Sequence, residues 1–231
     1  MKVAYITGGT KGIGMGIAQA LLAKDYHVAI SGRSESSLAE AKNSLGSDRV
    51  LYLQSDVTNQ NDEQRSIDQV LDRWGQLDVC IANAGVGHFQ PIDELSSEDW
   101  TATIDTNLTG VFHTVKASIP SLKKSKGYII TIASLAGTNF FARGAAYNAS
   151  KFGLVGFSQA IMLDLRQFGI KVTTIMPGSV ATHFNDHVPS EADAWKIQPE
   201  DIGQLVVDLL QMHPRSLPSK IEIRPSKPPS K

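Results

Sequence analysis

Cysteine, long hydrophobic runs and excess charge are all scarce in this chain. Cys80 is the single cysteine, so the chain can form no internal disulfide and offers no Cys/His ligand set of the zinc type. The 22 Lys and Arg residues nearly balance the 23 Asp and Glu residues, whereas a nucleic-acid-binding protein usually carries a basic surplus. No apolar run reaches the roughly 18 residues of a membrane span, and the first apolar run is too short for a signal peptide. These absences predict a soluble, cytoplasmic protein that binds no metal, nucleic acid or membrane.

The composition is that of an ordinary globular protein. Its 231 residues are 42 % hydrophobic and 19 % charged, and this length suits a single domain of residues 1–231. No internal repeat and no linker-like segment divides the chain. Residues 225–231, PSKPPSK, are predicted to form a flexible tail.

Short β-branched apolar runs alternate with longer amphipathic stretches along the chain. The runs are apolar nearly throughout, which is typical of strands covered on both faces. Alternation of strand and helix predicts an α/β fold: a Rossmann-like, doubly wound parallel sheet of about seven strands with helices on both faces. Strands are predicted at 2–7, 27–32, 50–54, 78–82, 128–133 and 170–176, and helices at 13–24, 35–45, 59–74, 107–122 and 147–168. Two further helices are predicted to begin near Ser96 and at Pro199.

A glycine-rich loop, TGGTKGIG at residues 7–14, follows the first predicted strand and opens the first helix. Glycine lets the backbone turn sharply and approach a pyrophosphate, and the helix N-terminus supplies unpaired N–H groups. The glycine spacing differs from GxGxxG, so it is the position between strand and helix that favours nucleotide binding over a plain turn. The residues predicted to contact a cofactor here are Gly8, Thr10, Lys11, Gly12, Ile13 and Gly14.

The second predicted strand ends in SGRS, residues 31–34. In folds of this type an acidic residue here accepts hydrogen bonds from the free 2′-hydroxyl of the adenosine ribose, whereas an arginine pairs with a 2′-phosphate. Gly32 is neutral, Arg33 follows it, and Lys11 adds a second cation. Arg33, Ser34 and Lys11 therefore predict NADP (NADPH) as the cofactor.

Four further motifs follow in order, most of them at the end of a predicted strand. They are Asp56-Val57; Asn83-Ala84-Gly85; the set Asn107, Ser134, Tyr147 and Lys151; and Pro177-Gly178 with Val180 and Thr182. Together with the glycine-rich loop, this order resembles the short-chain dehydrogenase/reductase family over nearly the whole chain. The resemblance implies that the first motif contacts adenine, the second lines the cofactor cleft, the third is the catalytic tetrad and the fourth holds the nicotinamide.

Tyr147 and Lys151 are four residues apart and therefore share one face of a helix. A free phenol has a pKa near ~10, but an adjacent ammonium stabilises the phenolate and lowers that pKa toward neutrality. Ser134, at the end of its strand, is predicted to polarise the substrate oxygen. By resemblance, Asn107 supports a water relay to Lys151, and Tyr147 and Lys151 are also counted among the cofactor-binding residues.

The predicted reaction is hydride transfer between the nicotinamide and a carbonyl or secondary-alcohol carbon, with Tyr147 giving or taking the proton on oxygen. The segment after Thr182 is short and holds Phe184, Val188 and Trp195, with one Lys and no Arg. It predicts an uncharged, partly apolar substrate, and hence a carbonyl reductase or alcohol dehydrogenase.

Two alternatives stay open. One is a 3-oxoacyl-(acyl-carrier-protein or CoA) reductase, although the C-terminal KIEIRPSKPPSK lacks the Gly-Gly segment usual in the carrier-protein reductases of the resembled family. The other is a cofactor-sensing binding protein, against which the intact tetrad counts.

The resembled family pairs subunits through the helices predicted here at 107–122 and 147–168. The second helix carries more apolar positions than one buried stripe needs, which predicts a homo-oligomer, a tetramer or a dimer. A helix simply buried within the monomer is the alternative. The roles of several other residues stay open, namely His88, His183, Phe140, Phe141 and Trp195.

Overall fold

The computed structural model describes residues 1–227 and contains a seven-stranded, fully parallel sheet. The strands are β1 (Val3–Ile6), β2 (His27–Gly32), β3 (Val50–Gln54), β4 (Val79–Ala82), β5 (Tyr128–Ile132), β6 (Lys171–Pro177) and β7 (Lys220–Ile223). Their order in the sheet is β3-β2-β1-β4-β5-β6-β7. The predicted Rossmann-like fold class is thus confirmed. Residues 228–231 of the predicted tail lie outside the described residues.

Helices cover both faces of the sheet. They are α1 (Gly12–Leu22), α2 (Glu35–Leu45), α3 (Gln60–Trp74), α4 (Ser97–Ile104), α5 (Gly110–Ser125), α6 (Ala145–Leu165) and α7 (Pro199–Gln211). α1, α2 and α7 pack on one face, whereas α3, α5 and α6 pack on the other. Among the described residues, no helix is long and apolar enough to cross a membrane.

Alternate apolar residues of the strands β1 to β6 belong to different cores. In β1, Val3 and Tyr5 pack into the core beneath α3, α5 and α6, and Ala4 and Ile6 pack into the core beneath α1 and α7. All four are at most 1 % exposed. Burial on both faces explains why the strand sequences are continuous apolar runs.

The helical stretch around Asn107 differs from the prediction. Instead of a helix that begins at 107, α4 continues through a π-helical turn, Asp105–Thr109, into α5. Ser96 caps α4 as predicted, because its hydroxyl accepts a hydrogen bond from the Asp99 N–H at 3.0 Å. π turns within helices are frequent at functional sites, and this one carries Asn107.

The strand order reverses between β1 and β4. In open parallel sheets, the loops that leave the carboxyl ends of the strands on either side of such a point diverge and leave a crevice. The glycine-rich loop leaves β1 at this place, and the Asn83-Ala84-Gly85 motif leaves β4. The fold therefore brings two of the predicted motifs to the same crevice.

Candidate active site

A cleft of about 1830 Å³ opens at the carboxyl edge of the sheet. Nearly all predicted site residues line it: Gly8, Thr10, Lys11, Gly12, Ile13, Arg33, Ser34, Asp56, Val57, Asn83, Ala84, Gly85, Ser134, Tyr147, Lys151, Pro177, Gly178, Val180 and Thr182. Gly14 and Asn107 are buried directly behind this wall. The structure thus brings the sequence motifs together.

The glycine-rich loop is fastened to the loop after β4. The Asn83 side-chain amide donates to the carbonyl oxygens of Thr7 at 2.9 Å and Gly8 at 3.0 Å. In return, the Thr7 hydroxyl accepts from the backbone N–H groups of Asn83 at 3.0 Å and Ala84 at 3.1 Å. Gly8 has φ +62°, and a Cβ there would lie only 3.0 Å from the Ala84 Cα. Glycine is therefore required at this close approach.

The start of α1 is suited to a phosphate. Lys11 is the N-cap residue and its side chain makes no capping hydrogen bond, so side chains do not satisfy the first N–H groups of the helix. A Cβ at Gly14 would lie 2.5 Å from the Gly8 carbonyl oxygen, so the loop closes tightly over the helix end. A backbone cradle free of side chains at a helix N-terminus fits the pyrophosphate of a dinucleotide.

The two cations predicted to select the cofactor lie in different loops: Arg33 directly follows β2, and Lys11 lies in the glycine-rich loop after β1. Arg33 and Lys11 are both exposed and line the cleft, and neither belongs to an ion pair within residues 1–227. Ser34 caps α2 through a hydrogen bond from the Ser37 N–H at 3.3 Å. The Asp56 carboxylate accepts from the N–H and hydroxyl of Thr58, at 2.9 and 2.8 Å, so this acid is held in its own turn. Arg33 and Lys11 remain available to an anion.

Lys151 lies deep at the other side of the cleft. Its ammonium donates to the Ile132 carbonyl oxygen at 3.0 Å, and the residue is 4 % exposed. Burial lowers the pKa of Lys151 to about 8, because a desolvated ammonium is less stable than the neutral amine.

Asn107 is fixed by three hydrogen bonds. Its amide donates to the Val86 carbonyl at 2.9 Å and to the Ser150 hydroxyl at 3.0 Å, and its oxygen accepts from the Val86 N–H at 2.8 Å. A Cβ built at Gly85 would lie 3.2 Å from the Asn107 oxygen and 3.7 Å from the Lys151 nitrogen, so glycine leaves the space between these groups open. This arrangement suits the water relay that the family resemblance implies.

Tyr147 does not show the pKa shift expected from the sequence. Burial raises the pKa of its phenol, and the neighbouring Ser134 hydroxyl acts in the opposite direction. The lowering expected from Lys151 is absent because the ammonium is directed at the Ile132 carbonyl, while its nitrogen lies 5.7 Å from the Tyr147 ring centroid. A raised phenol pKa favours the protonated form, which is the form that can donate a proton to a carbonyl.

Asn148, which the sequence motifs did not single out, ties α6 to the loop after β5. Its amide donates to the carbonyl oxygens of Ala136 and Asn139, both at 2.8 Å. The Ser134 hydroxyl in the same loop accepts from the Ala136 N–H at 3.1 Å. The loop that carries Ser134 is therefore held against the helix that carries Tyr147.

Aromatic rings surround Tyr147. Phe89 meets its ring edge-on at a centroid distance of 5.4 Å, and Phe184 lies at 5.7 Å. Phe141 lies 5.8 Å from Phe89 and lines the cleft, whereas Phe140 also lines the cleft but is 87 % exposed. Phe89 was missed by the sequence analysis because nothing in its loop marks it apart from other apolar residues.

Asp193 organises the segment between Thr182 and α7. Its carboxylate pairs with the Lys196 ammonium and with His187 Nε2, both at 2.6 Å, and accepts from the Ser190 N–H at 3.0 Å. The bonds from Lys196, His187 and Ser190 hold the pKa of Asp193 well below its usual range. Asp193 is an acidic partner of His187 that the sequence analysis did not identify.

The remaining histidines of the cleft do not form a metal site. His88 pairs with Asp99 at 3.2 Å, and His183 and Trp195 line the cleft. Within residues 1–227, no group of three or more His, Cys, Asp or Glu side chains could hold a metal ion.

Comparisons with known proteins agree with this architecture. The family model described as short chain dehydrogenase matches residues 2–193. An uncharacterized oxidoreductase of Staphylococcus saprophyticus is 32 % identical over 228 residues, which cover 97 % of each chain. The solved structure of an alcohol dehydrogenase from the archaeon Thermococcus sibiricus, complexed with 5-hydroxy-NADP, is 29 % identical, covers 100 % of both chains and gives a TM-score of 0.92. A closed form of serine dehydrogenase complexed with NADP+ is 28 % identical, covers 96 % of this chain and 94 % of its own, and gives a TM-score of 0.88.

Proposed function

The chain belongs to the short-chain dehydrogenase family, and from the geometry of its cleft we propose that it is an NADP(H)-dependent carbonyl reductase or alcohol dehydrogenase. The observation that carries this proposal is that one cleft holds two separate sets of side chains, the cations near Arg33 and the hydroxyl groups near Ser134. Arg33 follows β2 and Ser134 follows β5, and three strand spacings, about 14 Å, lie between these strands. A ligand that contacts both must be elongated, as a dinucleotide is.

The residues present fit NADP. The cradle at Gly8 and the start of α1 would hold the pyrophosphate, and Arg33 with Lys11 would hold a 2′-phosphate. By family resemblance, Asp56 and Val57 would contact the adenine, and the segment from Pro177 to Thr182 would hold the nicotinamide. The structures of Thermococcus alcohol dehydrogenase and serine dehydrogenase, described as complexes with 5-hydroxy-NADP and NADP+, support this choice.

When bound, the nicotinamide supplies or accepts the hydride. The chain's own residues hold the substrate oxygen and move its proton. The Ser134 hydroxyl would hold the carbonyl oxygen, and Tyr147 would donate the proton to it, since the raised pKa of this phenol keeps the proton available. Lys151, about one helical turn beyond Tyr147, and the fixed amide of Asn107 would return a proton through water.

The substrate side of the cleft is aromatic. Phe141, Phe184 and Trp195 line it, and the Phe89 ring packs against those of Phe141 and Phe184. The two charged side chains closest to Trp195 in sequence, Asp193 and Lys196, neutralise each other. An uncharged, partly apolar ketone, aldehyde or secondary alcohol suits this lining.

A 3-oxoacyl thioester reductase is the second candidate. Arg224 and Lys227, beyond β7, also line the cleft and could meet the phosphate groups of coenzyme A or of a carrier protein. The Arg224 guanidinium already forms an ion pair with the Glu222 carboxylate at 3.0 Å, and this pairing counts against a thioester reductase.

We also propose that the enzyme works in the cytoplasm as a homo-oligomer. Large apolar side chains remain exposed on the two helices that pair subunits in the family. Phe112 of α5 is 40 % exposed, and Phe152 and Leu163 of α6 are 43 % and 54 % exposed. A second copy of the chain would cover them.

The test is NADPH oxidation with a panel of ketones, aldehydes, quinones and acyl thioesters. The expected result is turnover of simple ketones or aldehydes at a higher kcat/KM than acetoacetyl thioesters. Tyr147→Phe serves as the matched control, since it removes one oxygen and keeps the ring. A preference for thioesters would favour the second candidate, and absence of turnover with every carbonyl would indicate a binding protein.

A further inference from the structure

A fully buried polar cluster lies behind the cleft at the ends of β1, β2 and β3. Glu63, from the first turn of α3, and Tyr5, from β1, are both 0 % exposed. The Tyr5 hydroxyl donates to the Glu63 carboxyl at 3.0 Å, and the Ser55 hydroxyl donates to the same oxygen at 2.8 Å. The Tyr5 hydroxyl also lies 3.2 Å from the Ser31 hydroxyl. These four residues are called the Glu63 cluster below.

Burial of a carboxyl group lowers the stability of the fold unless other contacts compensate for it. Desolvation of an acid costs free energy that hydrogen bonds recover only in part, and an apolar residue of similar size would often be as stable. On the buried face of α3, Ile67 and Val70 pack apolar side chains into this core, and Ser66 is the one other buried polar residue of this helix. Burial raises the pKa of Glu63, against the opposing effect of bonds from Thr114, Ser55 and Tyr5.

The cluster touches the cofactor side of the cleft through its two serines. Ser31 and Ser55 line the cleft themselves. The Ser31 carbonyl accepts from the N–H of Gly9 in the glycine-rich loop at 3.0 Å, and the Ser55 N–H donates to the Gly32 carbonyl at 3.1 Å. The backbones of Ser31 and Ser55 therefore join the ends of β2 and β3 to each other and to the glycine-rich loop, and the side chains of the same two serines bond to Tyr5 and Glu63.

The residues that follow these serines are those that would contact the adenosine half of the cofactor. Arg33 comes two residues after Ser31, and Asp56 directly follows Ser55. Arg33 is exposed and receives no ion-pair support within the described residues, so its position depends on the backbone beneath it. A group that fixes this backbone acts on cofactor affinity without touching the cofactor.

We propose that Glu63 is a positioning residue for the adenosine-phosphate end of the cofactor site. Through Tyr5, Ser31 and Ser55 it sets the spacing of the strand ends that carry Arg33 and Asp56. The inference rests on the proposed NADP(H) function. It assigns the acid a role in cofactor affinity that is separate from the catalytic tetrad.

The test compares Tyr5→Phe, Glu63→Gln and Glu63→Leu with the wild-type protein. Binding of 2′,5′-ADP, which is the adenosine half of NADP, is measured by calorimetry, together with kcat and the KM for NADPH. Tyr5→Phe and Glu63→Leu are expected to weaken 2′,5′-ADP binding and raise that KM by roughly two- to thirtyfold, the usual range of indirect coupling, with kcat unchanged. Glu63→Gln should retain part of the affinity, because an amide keeps one acceptor oxygen and the same size.

Tyr128→Phe is the matched control. The Tyr128 hydroxyl is also buried and hydrogen-bonded, to Thr173 at 2.7 Å, but at the first residue of β5 and away from the cleft lining. It should lower the melting temperature and leave 2′,5′-ADP binding unchanged.

The possible outcomes separate the two claims. Wild-type protein that binds neither 2′,5′-ADP nor NADPH overturns the proposed function and this inference with it. Wild-type protein that binds both, with Tyr5→Phe and Glu63→Leu still within twofold of it, overturns the positioning role alone. If Glu63→Leu does not fold, Tyr5→Phe decides the question, since it removes a single oxygen atom.

Discussion

Replacement of Arg33 by alanine is expected to raise the KM for NADPH by roughly ten- to hundredfold. Arg33 is exposed on the cleft wall and has no ion-pair partner within residues 1–227, so the substitution breaks no internal salt bridge. A guanidinium can bind a 2′-phosphate through two parallel hydrogen bonds. A hydrogen bond to a charged group contributes about 1.5–3 kcal/mol, and about 1.4 kcal/mol corresponds to a factor of ten in affinity.

The assay is initial-rate kinetics with NADPH and with NADH on the same preparation. Arg33→Ala should leave kcat and the KM for NADH nearly unchanged, because the free 2′-hydroxyl of NADH offers no charge to the arginine. Arg73→Ala is the matched control, since Arg73 is exposed on α3 and does not line the cleft. Equal use of NADPH and NADH by the wild-type protein, or equal damage to both by Arg33→Ala, would refute the assignment.

Three further predictions concern the catalytic end and the surface. Tyr147→Phe should fold and bind cofactor but lose turnover by about 10²–10⁴-fold, and a loss smaller than tenfold would contradict its role as the proton donor. Lys151→Met should lose turnover and cofactor affinity, yet its melting temperature at pH 7 should be a few degrees higher than that of the wild-type protein. The substitution removes a buried ammonium that destabilises the fold, and each kcal/mol of unfolding free energy corresponds to about 2–4 °C in a chain of this size. The difference in melting temperature between Lys151→Met and the wild-type protein should shrink between pH 8 and pH 10.5. In this range the unfolded wild-type chain still binds a proton on Lys151 that the folded chain has released, so the wild-type protein gains stability as the pH rises. A constant difference would show that Lys151 is not desolvated. Light scattering should give a multiple of 25.0 kDa, and Leu163→Glu should reduce it; a wild-type mass of 25 kDa at micromolar concentration would indicate a monomer.

Three consecutive elements could be predicted from the sequence to the residue, whereas the bounds of β1 and α1, on either side of the glycine-rich loop, differ by one or two residues from the predicted 2–7 and 13–24. β2, α2 and β3 begin and end where the pattern placed them, because each apolar run is bounded by strong local signals. Ser34 caps the start of α2, and Gly46, with φ +51°, ends it. The junction of α4 and α5 could not be predicted in the same way, since no local signal marks a π turn inside a continuous helix.

Contacts between side chains that lie far apart in the sequence could not be predicted from the sequence. Glu63 and Tyr5 are 58 residues apart, as are Phe89 and Tyr147, so neither pair forms a spacing pattern. The predicted direction of the Tyr147 pKa shift was wrong for the same reason. The four-residue spacing places Lys151 near Tyr147, but only the fold shows that burial raises the pKa of the phenol and that the ammonium is directed at the Ile132 carbonyl. The tetrad stays a prediction, and the sequence indicated it because its four members follow the order of the resembled family along the chain.

The charged side chains at the two ends of the cleft differ in their exposure to solvent. Arg33 and Lys11 are exposed, so their attraction for a phosphate is screened by salt over a Debye length of about 10 Å at 0.1 M. Lys151 is buried, and salt screens the interactions of a buried charge much less than those of an exposed one. Under the proposed function, proton transfer depends on Lys151 and Tyr147, whereas cofactor selection depends on Arg33 and Lys11. Higher ionic strength is therefore expected to raise the KM for NADPH and to leave kcat unchanged. Under the same proposal, substitutions at the end of β2 are expected to change the cofactor preference and to leave the proposed tetrad intact.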